Sequence, residues 1–407
     1  MEFEQHQLPN GIRIIHQHSN SAVAHCGLII NAGSRDEKNK QQGLAHFIEH
    51  VIFKGTKKRK AFHILSRMED VGGELNAFTT KEDTCIYSSF MPKYYDRALE
   101  LLQDIAFNST FPAKELEKEK AVIIDEINSY KDNPSEQIFD DFEEQLFGKH
   151  PIGKNILGTP KLVNSFNKAS IKEFVASNYH SQQMVICSTG NIPFAQLIKW
   201  IEKYFRHLPN SNKESKRRSF NTYKATHKIQ KHNGFQTHCM IGNIAFAANH
   251  PKKTAMVLLN NILGGPGMNS RLNLGIREKY GFTYQIESHY TPYSDTGLFN
   301  IYLASDSNKV EKSIKLVKKE LQKLREKPLG PQQIKKAKQQ LIGQIAIAQE
   351  SDVNLMLALG KSLLLYNKVD TFEEVKKKIE SISAAELQEA AKIVFKEENL
   401  SILIFKN

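Results

Sequence analysis

Strand-like runs followed by long amphipathic helices occur in the same order on both sides of one polar break. That doubled order narrows the possible folds more than any other property of the chain. The break lies near residues 207–222. There His207-Leu-Pro-Asn-Ser-Asn-Lys-Glu-Ser-Lys-Arg-Arg218 carries proline and polar residues with neither a helical nor a strand period. Before it, residues 11–15, 22–30 and 84–90 read as strands, and 43–54, 60–71, 92–107, 113–131, 134–146 and 194–206 as helices. After it, 236–246, 297–303 and 400–405 read as strands, and 250–263, 308–327, 331–350, 352–366, 371–380 and 384–394 as helices. Such alternation predicts an α+β fold of two domains, each a mostly antiparallel sheet backed by helices. The expected division is residues 1–210, a linker at 211–225, and 226–407. A chain of 407 residues is long enough for two or three sizeable cores.

Within the first half, His46-Phe-Ile-Glu49-His50 places two histidines four residues apart. On a helix that step returns to nearly the same face, so both imidazoles project together and form half of a Zn²⁺ site. A carboxylate beside them, Glu49, is placed to act as a general base on water. The order His-x-x-Glu-His is the inverse of the better known His-Glu-x-x-His. With 15 histidines in 407 residues, chance produces roughly 0.04 such pentads per chain, so a third ligand has to carry the rest of the argument. Residues 113–131 read as a helix after Phe111-Pro112, with Leu116, Val122, Ile123 and Ile127 marking an apolar face. Glu119 and Glu126 lie seven residues apart, nearly aligned along one side of that helix. A carboxylate there completes a His₂Glu set and leaves one position for water.

The pentad, together with Glu126 in Val122-Ile-Ile-Asp-Glu126, resembles the pitrilysin/insulinase-type zinc metallopeptidases. The similarity is strongest to the shorter branch of mitochondrial processing peptidases and their bacterial relatives. Asn31-Ala-Gly-Ser-Arg-Asp-Glu37, Phe53-Lys-Gly-Thr56 and Gly72-Gly-Glu-Leu-Asn-Ala-Phe-Thr79 extend it, and it runs over most of the chain. The resemblance implies that the two domains are homologous repeats of one α+β unit, of which only the first holds metal. It implies that His46, His50 and Glu126 bind Zn²⁺, with Glu119 supporting the site, and that Glu49 is the base in peptide hydrolysis by zinc-activated water. It further implies that the segment around Asn76 and Ala77 takes up the substrate backbone as an added strand. In the second half, Leu263-Gly-Gly-Pro-Gly begins a stretch that lacks a Gly-x₄-Gly-Lys-Ser/Thr phosphate loop. By resemblance that stretch supplies Arg277 and Tyr284 as substrate-binding and oxyanion-stabilising groups. These peptidases enclose peptides in a chamber of four repeats. A chain with two repeats and both residue sets is therefore expected to form a homodimer whose sites are completed across subunits. The competing expectation is a non-catalytic partner subunit of a processing-peptidase-like complex, which typically lacks part of the pentad.

Composition excludes several other classes. The net charge of +12 is spread along helices and the 213–218 cluster, with no aromatic-interleaved basic stripe, so no nucleic-acid partner is expected. No apolar run approaches the ~20 residues that span a bilayer. The polar start, Met1-Glu-Phe-Glu-Gln-His6, has neither signal- nor transit-peptide character. A cytoplasmic protein without a membrane partner is expected. Cys26, Cys85, Cys187 and Cys239 are scattered in apolar contexts without Cys-x-x-Cys spacing and read as buried free thiols.

Overall fold

The computed structural model describes residues 3–212, 217–232 and 234–406; residues 213–216 of the expected linker lie outside them. Each half builds one sheet. Strands β1 (Phe3–Gln7), β2 (Arg13–His18), β3 (Ala24–Ile30), β4 (Glu74–Thr79), β5 (Thr84–Phe90) and β6 (Met184–Gly190) form a sheet in the order β1-β2-β6-β3-β5-β4. Strands β7 (His227–Lys231), β8 (Thr237–Ala245), β9 (Thr283–Pro292), β10 (Gly297–Ser305) and β11 (Ser401–Lys406) form a second, in the order β7-β11-β8-β10-β9. From β2 onward the first sheet pairs parallel, then antiparallel three times. The second does the same from β7 onward. The two sheets therefore repeat one wiring, with β2, β6, β3, β5 and β4 equivalent to β7, β11, β8, β10 and β9. The fold is α+β, as the alternation of the sequence predicts.

The helices are α1 (Leu44–Val51), α2 (Ala61–Glu69), α3 (Tyr95–Phe107), α4 (Ala113–Asp132), α5 (Pro134–Phe147), α6 (Pro160–Ser165), α7 (Lys168–Asn178) and α8 (Phe194–Phe205). They continue with α9 (Lys253–Gly264), α10 (Val310–Glu326), α11 (Pro331–Ala348), α12 (Asp352–Tyr366), α13 (Phe372–Ser381) and α14 (Ala384–Val394). Strands β1, β4, β6, β7 and β9 and helices α6 and α7 go beyond the sequence-based expectation. β6 is buried along its whole length, and a strand covered on both faces loses the alternation that would reveal it. α7 buries only Ile171 and Phe174, too few to print a helical period.

The compact units do not follow the chain, whereas the expected division into 1–210 and 226–407 does. One unit comprises Met1–Asn128, Lys154–Arg217 and Ile347–Thr371; the other comprises Ser129–Gly153, Arg218–Ala346 and Phe372–Asn407. The difference is an exchange of equivalent helices. α12, from the second half, lies on the first sheet, where Leu355, Met356, Leu359 and Leu363 join Ile15, Ile29, Cys85, Val185 and Cys187 in one buried cluster. α5, from the first half, lies on the second sheet, where Ile138, Phe142 and Leu146 join Met240, Leu298, Tyr302, Leu403 and Phe405. Gly360 permits the first of these contacts. A Cβ at that position would stand 2.7 Å from Ile29 Cδ1 and 2.8 Å from Cys187 Cβ, so the helix approaches the sheet to backbone distance. The other face of the first sheet packs against its own helices, including α1, through Leu28, Ile30, Leu44, Phe47 and Ile48. Among the described residues no helix is long and apolar enough to cross a membrane. All four cysteines are buried and free.

Candidate metal centre

α1 is short, and its start is set by residues outside the pentad. Gly43 precedes it at φ 94°, a left-handed backbone, and a Cβ there would stand 2.6 Å from Leu157 O. Having no side chain, Gly43 cannot cap the helix. Glu37 does so instead: its carboxylate accepts from Gly43 N at 2.9 Å and from Ala45 N at 2.8 Å. Leu44, Ala45, Phe47, Ile48 and Val51 are buried in the core, which fixes the roll of the helix and turns His46 and His50 toward α4.

Across from them stands Glu126 of α4. Its Oε2 lies 3.7 Å from His46 Nε2 and 3.7 Å from His50 Nε2. The ligand atoms of His46, His50 and Glu126 all lie within 4.8 Å of one another, and no other group of this kind occurs among the described residues. Donors placed tetrahedrally at ~2.0–2.1 Å from one zinc ion sit about 3.4 Å apart, so the two 3.7 Å separations between the imidazoles and Glu126 need only a few tenths of an ångström of contraction to fit the ion. Two imidazoles and one carboxylate are also the donor chemistry of hydrolytic zinc sites.

The electrostatics hold His46 in its ligating form, whereas burial raises the Glu126 carboxyl and nearby acids raise His50. Burial, and then the charge of His50, hold the His46 imidazolium down to about 3, so His46 is neutral at ordinary pH. Burial pulls His50 down as well. The hydrogen bond and charge of Glu119, with the charges of Glu126 and Glu49, outweigh burial and leave His50 raised. His50 Nδ1 donates to Glu119 Oε1 at 3.0 Å, which keeps the Nε2 lone pair facing Glu126. Glu119 Oε2 also receives the Lys54 ammonium at 2.7 Å. Burial alone would raise the Glu119 carboxyl, but His50 and Lys54 bring it below its ordinary range, so it stays ionised. The seven-residue spacing on α4 thus separates two roles. Glu126 reaches the pair of Nε2 atoms, and Glu119 reaches the far nitrogen of one ring.

Glu49 lies outside the three-residue group. Burial and the charge of Glu126 push its carboxyl up, opposed by Thr79 and His50. Thr79 ends β4, the edge strand of the first sheet, on which Asn76 is exposed opposite Tyr87 and Ala77 is half-buried opposite Ile86. Arg277 and Tyr284 belong to the other compact unit. Arg277 lies in a π-helical turn, Asn273–Glu278, and Tyr284 near the start of β9, the edge strand of the second sheet. Tyr284 is 63% exposed, which makes it one of the least covered large side chains of the chain.

Four residues of the site escape a reading of the sequence. Glu37 and Lys54 act through contacts that no local period encodes. Thr79 and Tyr179 are brought to Glu49 only by the fold. The Tyr179 phenol is pushed up by burial first and by the charge of Glu49 second. Lys54 carries the one local signal, its position a turn beyond His50.

The model of the insulinase family, peptidase family M16, matches residues 13–160, and that of the peptidase M16 inactive domain matches residues 165–341. A protein described as an uncharacterized zinc protease of Bacillus subtilis is 32% identical over 97% of this chain and 96% of its own length. One so described in Rickettsia bellii is 31% identical over 100% of this chain and 98% of its own. Among solved structures, a Pseudomonas fluorescens protein titled as a peptidase M16 inactive domain aligns with a TM-score of 0.92 at 22% identity, over 100% of this chain and 98% of that one. A protease from Helicobacter pylori aligns with a TM-score of 0.91 at 20% identity, over 100% of this chain and 99% of that one.

Proposed function

We infer the function from one established fact: the chain belongs to the insulinase family of peptidases, M16. It is proposed to be a zinc-dependent endopeptidase that hydrolyses small or unfolded peptides. The observation that carries this reading is the convergence of His46, His50 and Glu126 beside a carboxylate, Glu49, that stands apart from them. His46, His50 and Glu126 would hold the ion. Bound zinc would supply a Lewis acid that brings the pKa of water to about 7 and polarises a peptide carbonyl.

The chain's own residues do the rest. Glu49 takes a proton from the attacking water and delivers it to the leaving amine nitrogen. Burial raises its carboxyl, which brings it nearer the working pH and improves both transfers. Glu119 accepts from His50 Nδ1–H and keeps that ring oriented. The unpaired edge of β4, with Asn76 and Ala77, is suited to receive an extended peptide as an added strand. Tyr284 and Arg277 donate to the developing oxyanion and to substrate carbonyls. In a homodimer they serve the partner's site. An intact metal group weighs against the competing role of a non-catalytic partner subunit.

Two measurements test this reading. Purified protein is expected to carry about one zinc per chain and to cleave a quenched peptide library, with turnover lost to a chelator and regained on adding zinc. Protein that neither holds nor responds to a divalent ion removes the assignment. Mixing a Glu49→Gln chain with an Arg277→Ala/Tyr284→Phe chain is expected to restore about one working site per heterodimer. Dimers that form without recovering turnover show that each site is completed within one chain.

A further inference from the structure

The unit that carries His46, His50 and Glu126 also has a groove of about 550 Å³ that the proposed chemistry does not use. It runs between α7 and the connection from α3 to α4. Its floor is apolar, with Phe107, Phe111 and Val175, and Lys57, Lys168 and Lys172 stand around it.

The three lysines are placed at a disadvantage. Lys168 is the first residue of α7, where the helix dipole disfavours a cation. Lys172 is one turn further on, so the two ammonium groups are like-charged neighbours. The acid next in sequence, Glu173, is engaged by Lys38 at 2.5 Å. Among the described residues none of the three lysines has an ion-pair partner. Uncompensated positive charge collected over an apolar floor is relieved by an anion that carries an apolar group.

The floor is built at a cost as well. Phe111 is held at φ 51°, a left-handed backbone that a bulky residue rarely adopts, and its side chain is buried. The walls are joined to elements of the metal centre by hydrogen bonds and by chain continuity. Lys57 N donates to Asn108 O and Thr110 N to Gly55 O, which ties the groove to the segment that follows Lys54. Lys54 holds Glu119, and the 107–112 connection leads directly into α4, which carries Glu119 and Glu126. Tyr179, at the end of α7, lines the groove and stands within the field of Glu49.

We propose that this groove docks an acidic segment of a peptide, one that presents Asp or Glu to Lys57, Lys168 and Lys172 and an aromatic or branched aliphatic side chain to the floor. It is an exosite for the substrate class assigned above, and it rests on that assignment. The size favours a peptide segment over nucleic acid, whose phosphates would need a longer basic track.

The test is fluorescence anisotropy with Glu49→Gln protein and a labelled hexapeptide alternating acidic residues with Phe and Leu. Binding is expected to weaken with salt and to weaken about tenfold in Lys57→Gln/Lys168→Gln/Lys172→Gln, with Arg at the same positions restoring it. In otherwise unaltered protein, the triple Gln variant is expected to raise KM about tenfold for a quenched substrate bearing the acidic tract, with kcat held and a short neutral substrate unaffected. The proposal is overturned if the triple variant binds the peptide as well as the parent does. It is equally overturned if a peptide with Lys in place of its acids binds as tightly, or if the lysines bind anionic vesicles and not the peptide. Binding is read without turnover. A chain that binds the peptide but never hydrolyses one therefore sinks the peptidase assignment and not the groove.

Discussion

Glu49→Gln protein is expected to hold as much zinc as the parent and to lose about a thousandfold in kcat/KM on any peptide the parent cleaves. Glutamine keeps the shape of the side chain but cannot accept a proton. The loss corresponds to about 4 kcal/mol of transition-state stabilisation, within the span of a removed general base. Zinc should stay because the ligand atoms that converge belong to His46, His50 and Glu126, and Glu49 is not among them. Glu126→Gln is the contrasting change, and it should lose the metal as well as the activity. Metal analysis and a quenched peptide assay on the same preparations separate the two cases. If Glu49→Gln turns over within tenfold of the parent, another group is the base.

The second large effect concerns architecture. Phe142→Ala is expected to cost about 3–5 kcal/mol, the usual span for emptying a buried aromatic site. Phe142 is fully buried in the cluster between α5 and the second sheet. Its ring passes close to Gly242, where a Cβ would stand 2.9 Å from Phe142 Cε1, so the backbone cannot collapse far into the space. The location of the damage is as informative as its size. Native-state hydrogen exchange should lose protection in β8, β10 and β11 and keep it in β3, β5 and β6. The reverse pattern would mean that α5 lies on the sheet of its own half, and the exchange of helices would be wrong.

That exchange marks a limit of sequence reading. Residues 134–146 and 352–366 are recognisable as helices from their periods, and the structure forms α5 and α12 almost on those bounds. Their destinations are not recognisable. An apolar stripe states that a face will be buried but not which sheet buries it, because Leu, Ile and Phe are interchangeable to the hydrophobic effect. Chain proximity then points to the wrong partner, and α5 and α12 each cross to the other unit. The edge strand β9 is lost for a related reason: its buried positions follow no strand period.

The candidate site divides along the same line. The sequence alone determined that His46 and His50 share a face with Glu49 beside them, because helical geometry is local and repeats every few residues. It also offered Glu119 and Glu126 as acids on one side of a later helix. Only the tertiary structure decided that Glu126 meets both Nε2 atoms, that Glu119 takes the Nδ1 of His50, and that Glu37, Lys54, Thr79 and Tyr179 complete the surroundings. Those contacts join segments distant in the chain. They are set by how α1 and α4 pack on one core, and packing depends on the whole set of buried shapes rather than on any one stretch of residues.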